Sequence, residues 1–152
     1  RNESPFIVVC DSLEDPHNLG AILRSAEAAG VHGVIIPKRN SVTLNYTVAK
    51  TSAGAIEYVP VVKVANLPAA IDELKSRGVW IFGADMDGTD YTALDYSGSI
   101  ALVIGSEGKG IGRLVREKCD FIASLPMRGK INSLNASVAA GILMFEAAKH
   151  RN

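Results

Sequence analysis

Short apolar runs without polar alternation recur between longer amphipathic segments, and this order constrains the chain more than any other feature of its sequence. Phe6-Ile-Val-Val-Cys10, Val34-Ile-Ile-Pro37, Val79-Trp-Ile-Phe82 and Ile100-Ala-Leu-Val-Ile104 read as strands buried on both faces. Between them, helical periodicity runs from about Asn18 to Ala29, ended by Gly30, and from Leu67 to Arg77, ended by Gly78. A weak helical stretch covers Leu44 to Ser52 and a shorter one Ile111 to Lys118. A long helix spans about Ser133 to His150, with Leu134, Val138, Ile142 and Phe145 expected as its buried stripe and Met144 and Ala148 extending the apolar surface. Ile56 to Val64 reads as an irregular or edge strand because of Pro60, Phe121 to Leu125 as extended, and Asp85 to Ser97 as a polar loop. Strands alternating with helices predict an α/β fold with a mostly parallel sheet and helices on both faces. A chain of 152 residues makes one such domain, with an adequate core.

Composition narrows the functional classes. Lys plus Arg and Asp plus Glu are both 16, so no global basic field announces a nucleic-acid partner, and any such binding depends on where the cations sit. Cys10 and Cys119 cannot build a disulfide framework and have no Cys-x-x-Cys or Cys/His neighbourhood. The expectation is a reduced, cytoplasmic chain without a metal site. No apolar run approaches the roughly 18 residues of a membrane span, and no secretory signal pattern opens the sequence. The chain lacks an initiator Met and enters strand-like sequence at Phe6, which reads as a domain whose upstream part has been removed.

Three loops follow predicted strands, at the edge where parallel α/β folds gather ligands. The first, from Asp11 to Gly20, leads into Ala21-Ile-Leu-Arg24; Pro16 stiffens it and Asn18 is the expected helix cap. Arg24 among Ile22, Leu23 and Ala26 is either a packing residue with a solvated head or a phosphate or carboxylate clamp. The second, Gly105-Ser-Glu-Gly-Lys-Gly110-Ile-Gly112, has neither the order of a dinucleotide fingerprint nor the Lys-Ser/Thr of a Walker loop. Its glycines leave either a flexible turn or a backbone that a ligand can approach closely. The third runs from Leu125 to Ser137, where Asn132 or Ser133 can cap the last helix and capping explains Asn135 poorly.

Together these loops resemble the motifs of the SPOUT superfamily, specifically the SpoU (TrmH-like) family of RNA 2′-O-ribose methyltransferases. The matching segments are Asn18-Leu-Gly-Ala-Ile-Leu-Arg24-Ser-Ala26, Leu102-Val-Ile-Gly-Ser-Glu107-Gly108-Lys-Gly110, and Leu125-Pro-Met-Arg-Gly129 with Ser133-Leu-Asn135-Ala-Ser-Val-Ala139. The nearest subgroup is the RlmB-like 23S rRNA (guanosine-2′-O)-methyltransferase type. Ala136 stands where the family more often has Val, a small apolar exchange.

The resemblance implies a deep C-terminal trefoil knot, S-adenosylmethionine bound in it, a homodimer that completes each active site, and, in many members, a separate RNA-recognition domain. Carried over by position, it implies that Gly83, Ile104, Gly105, Gly108, Leu125, Met127 and Leu134 hold the cofactor. It also gives Arg24 the central catalytic role, supported by Asn18, Glu107, Ser133 and Asn135. Candidate RNA contacts are Lys38, Arg39, Lys109, Arg113, Arg128 and Lys130, each otherwise a solvated surface charge. Competing readings are a tRNA methyltransferase of the same family, a dehydrogenase-like nucleotide enzyme, and a non-catalytic RNA-binding module. The failed glycine fingerprints oppose the dehydrogenase, and the joint presence of the five polar residues opposes the last.

Overall fold

The computed structural model describes residues 3–38, 45–106, 108–131 and 133–151. The chain runs β1 (Phe6–Cys10), α1 (Pro16–Ala29), β2 (Gly33–Pro37), α2 (Tyr46–Thr51), a 3-10 turn at Ala55–Glu57 and β3 (Val61–Val64). It continues through α3 (Leu67–Ser76), β4 (Trp80–Asp90), a second 3-10 turn at Tyr91–Ala93, β5 (Ile100–Ile104), α4 (Arg113–Lys118), β6 (Phe121–Ser124) and α5 (Ala136–Ala148). All strand pairs are parallel, in the order β3-β2-β1-β5-β4-β6. β1 and β5 pair at the centre from Phe6 opposite Ile100 to Cys10 opposite Ile104. From β1 the chain works outward to β3, then crosses to the other half of the sheet. The carboxyl ends of the strands on that side form the crevice where such sheets bind ligands.

The two faces of β5 show why this sheet must be covered on both sides. Ile100, Leu102 and Ile104 pack into one core with Leu19, Ile22 and Leu23 of α1 and Ala140, Leu143 and Met144 of α5. Ala101 and Val103 point the other way, into a core with Leu67 and Ile71 of α3 and Val115 of α4. Burial of every β5 residue removes the polar face an antiparallel edge would show, which explains the absence of alternation in the sequence. Among the described residues, no helix is long and apolar enough to cross a membrane.

Four expectations about the elements are corrected. α1 starts at Pro16, and the cap is Asp15, whose Oδ1 accepts from the His17 amide at 2.8 Å; proline at the first helical position lacks only an amide that would be unpaired there. The expected loop from Asp85 is half strand: β4 extends to Asp90, with a register shift against β6 between Ala84 and Thr89. Gly88 permits this, since a Cβ there would lie 2.4 Å from the Ile122 carbonyl oxygen. α5 starts at Ala136 rather than near Ser133. It buries Ala136, Ala140, Leu143, Met144 and Ala147, leaving Val138 and Phe145 half exposed, because the small residues allow close packing on α1.

Candidate functional site

A cavity of about 440 Å³ lies at the carboxyl ends of β4, β5 and β6, closed by the start of α5. Its size suits a small-molecule ligand. Ile104, Gly105, Gly108, Leu125, Met127 and Leu134 all line it, as does Ser133. Gly83 does not: it is buried within β4, where a Cβ would meet Cys119 Sγ at 2.7 Å, and Ala84 and Asp85 form the wall instead. The slot combines apolar side chains with irregular backbone just after β6, where amide and carbonyl groups are outside the strand ladder. Glu107 lies outside the described residues.

The glycine loop after β5 is folded onto itself. Ser106 and Gly110 form an antiparallel bridge, and a Cβ on Gly105 would lie 2.2 Å from the Gly110 carbonyl carbon and oxygen. Only a residue without a side chain fits at that crossing. Gly110 has φ of 68° and faces Asp85, whose Oδ1 would be 2.9 Å from a Gly110 Cβ. Two carboxylates fix the surroundings. Asp85 Oδ2 pairs with Arg116 Nη1 at 2.6 Å, and buried Asp11 at the end of β1 accepts the Gly112 amide at 2.7 Å. The second contact ties the loop leading to α1 to the loop that lines the cavity, 101 residues apart.

Asn18 and Asn135 meet. Asn135 caps α5, its Oδ1 accepting from the Ser137 and Val138 amides at 2.9 and 3.2 Å, while its Nδ2 donates to Asn18 Oδ1 at 3.1 Å. Capping therefore explains Asn135, contrary to expectation, and the side-chain amide has a second task. Asn135→Ala should cost about 1 kcal/mol of stability through the lost cap, read by urea denaturation. Asn135→Asp keeps the acceptor and loses only the donor to Asn18, so it should hold stability where Asn135→Ala does not.

Arg24 is exposed on α1, does not line the cavity, and has no hydrogen-bond or ion-pair partner among the described residues. Of the candidate cations, Lys109 is at the cavity wall, and Lys38, Arg128 and Lys130 are exposed. Arg113 pairs with Glu117 at 3.4 Å on α4, and Arg39 lies outside the described residues. Asp90 is held below its ordinary pKa mainly by the Thr92 hydroxyl and amide, with a smaller pull from Arg128. Burial pushes the Cys10 thiol up to about 12 and that of Cys119 up to about 11, so neither is a thiolate at neutral pH. Among the described residues no three metal-ligating side chains gather.

Sequence reasoning missed the wall supplied by β4, above all Asp85 and Asp87. Asp87 has φ of 58°, a left-handed conformation that Asp tolerates better than most residues. The signal was present in Gly88, a glycine within a polar run after a strand, which marks a bulge as readily as a loop.

The SpoU rRNA Methylase family profile matches residues 5–145. YacO of Bacillus subtilis (strain 168), named for the TrmH family of tRNA/rRNA methyltransferases, is 57% identical over 100% of this chain and 61% of its own. A protein of Staphylococcus aureus (strain COL) named for the same family is 58% identical over 96% of this chain and 59% of its own. The chain thus spans about three-fifths of the length of these curated relatives. The SpoU methyltransferase AviRb from Streptomyces viridochromogenes, solved with the cofactor AdoMet, matches with a TM-score of 0.90 at 30% identity, covering 98% of this chain and 61% of that one. The AdoMet-bound rRNA methyltransferase from Sinorhizobium meliloti gives 0.89 at 31% identity, with 98% and 57% covered. The A. aeolicus TrmH/SpoU tRNA modifying enzyme gives 0.87 at 29% identity, with 97% and 77% covered.

Proposed function

Because this chain belongs to the SpoU rRNA methylase family, we propose that it transfers a methyl group from S-adenosylmethionine to a ribose 2′-hydroxyl of RNA, with a guanosine of 23S rRNA as target. The observation that carries this is the cavity where the strand ends converge, bounded by the family's second and third motifs. Its donor set fits the cofactor: an apolar slot between Ile104, Leu125 and Leu134 suits a flat base, and irregular backbone beside it can pair with ring nitrogens. Asp87 on the β4 wall places negative charge near a cationic ligand, while the charge of Asp85 is balanced by Arg116. Gly105, Gly108 and Met127 complete the proposed slot.

When bound, the cofactor supplies an electrophilic methyl group on a positively charged sulfur. A ribose hydroxyl taking up that methyl group would have to lose its proton, so the chain must supply a group that accepts the proton or stabilises the oxygen. A free guanidinium cannot act as an ordinary base, so Arg24 holds an RNA phosphate and either stabilises the developing alkoxide or transiently accepts the proton. Asn135 and Asn18 orient the ribose through their shared hydrogen bond. Glu107 orients Arg24 or its counterpart across the dimer, and Ser133 supports the cofactor-side loop. Lys38, Arg39, Lys109, Arg113, Arg128 and Lys130 bind the backbone of the RNA.

Arg24 is exposed and does not line its own cavity, which supports a homodimer in which one protomer's Arg24 acts on the RNA at its partner's active site. Val138 and Phe145 on α5, 50% and 49% exposed and seven residues apart, give that dimer an apolar face. Light scattering should give twice the 16.1 kDa chain mass, and Phe145→Glu should halve it without unfolding; a folded wild-type monomer overturns this assembly. The return of the chain from edge strand β6 to α5, packed on α1, supports a trefoil knot there. We read residues 1–152 as the catalytic domain of a cytoplasmic enzyme. Mapping 2′-O-methylation on 23S rRNA and tRNA transcripts incubated with the protein and S-adenosylmethionine tests the function. A new mark on a 23S guanosine is expected; a mark on tRNA alone reassigns the substrate, and none on either refutes the activity.

A further inference from the structure

Tyr46 opens α2 with 77% of its surface exposed, and the Lys50 ammonium lies 6.0 Å from its ring centroid. A tyrosine this exposed contributes little to a core, and the adjacent cation adds a charge suited to phosphate. The position of α2 is fixed. Thr51 packs so closely on α1 that a Cβ on Gly20 would lie 1.7 Å from its Oγ1, and that hydroxyl donates back to the Thr47 carbonyl at 2.7 Å. Gly20 stands between Asn18 and Arg24 on α1. Gly20 lies in the first half of α1, which leaves the carboxyl end of β1, so the packing of Thr51 against it puts α2 toward the same edge of the sheet as the cavity. Tyr58 is equally exposed, at 78%, but leads into the amino end of β3 at the opposite edge.

We propose that Tyr46, backed by Lys50, is a stacking platform for an unpaired RNA base flanking the methylated ribose. The proposal rests on the RNA-methylating reading above. A chain with 16 basic and 16 acidic residues has no long-range field to retain RNA, whereas stacking needs neither net charge nor a particular base. Lys50 neutralises the phosphate that accompanies the stacked base.

The test measures anisotropy of a fluorescein-labelled, unstructured RNA 12-mer of mixed sequence, and of a labelled 23S rRNA transcript, over a salt series. Tyr46→Ala should weaken binding by about 5- to 150-fold, the range for one lost base stack, with the salt slope unchanged. Tyr46→Phe should bind like the wild type. Lys50→Ala should instead flatten the slope by roughly one phosphate contact. Tyr58→Ala should change nothing, and thermal melts confirm that each variant is folded. If the wild type binds and Tyr46→Ala binds equally well, or Tyr46→Phe is as weak as Tyr46→Ala, the platform is overturned and the RNA reading stands. Wild-type protein that binds neither RNA overturns both.

Discussion

Arg24→Ala is expected to lower single-turnover methyl transfer to rRNA at saturating cofactor by about 100- to 1000-fold. Cofactor affinity and melting temperature should barely move, because Arg24 is exposed and does not line the cavity. A residue with no partner among the described residues has little native structure to lose. Arg24→Lys should recover little of the rate, since an ammonium keeps the charge but not the planar fork that can hold phosphate and hydroxyl together. The three measurements on one sample separate chemistry from binding and folding. Near-normal turnover would return Arg24 to a solvated surface charge and leave the mechanism without its central group.

The second large effect concerns the glycine loop. Gly105→Ala should weaken S-adenosylmethionine binding, measured by calorimetry, by about 5- to 150-fold. The new Cβ would not enter the cavity directly; it would sit 2.2 Å from the Gly110 carbonyl and push that backbone, part of the cavity wall, out of place. Relieving such a clash costs roughly 1–3 kcal/mol, and a tenfold change in affinity corresponds to about 1.4 kcal/mol. Gly105→Val should be worse. Gly129→Ala is the control, since nothing lies within 4 Å of its would-be Cβ. Unchanged affinity in folded Gly105→Ala would move the cofactor site away from this loop.

The strands and most helices were legible because each reports its burial locally. Every residue of Ile100–Ile104 is buried, and its unbroken apolar run says so. Gly30, with φ of 84°, ends α1 where the glycine stands in the sequence. The elements misread were those whose fate depends on distant partners. β4 outruns its apolar segment because β6 lies beside it, pairing Asp90 with Ser124. α5 is apolar nearly all round, so periodicity could not choose its buried face; packing on α1 chose the one bearing Ala140 and Met144 and left Phe145 to solvent.

The candidate site divides the same way. The loops themselves were readable from residue type, since glycines at 105, 108 and 110 crowd one turn after the most apolar strand, whereas capping proved to account for Asn135. Their mutual arrangement was not. That Asn135 donates to Asn18, that Asp11 holds the Gly112 amide, and that Asp85 leans on Arg116 beneath Gly110 are contacts between segments far apart in the chain. The sequence by itself determined the alternating α/β order, the central apolar strands and the family, because local burial and short motifs are written residue by residue. Only the tertiary structure decided which strand ends converge on the cavity, which face of α5 is left open, and that Arg24 stands outside its own cavity. Those outcomes depend on strand order and helix packing, which no local stretch of sequence encodes.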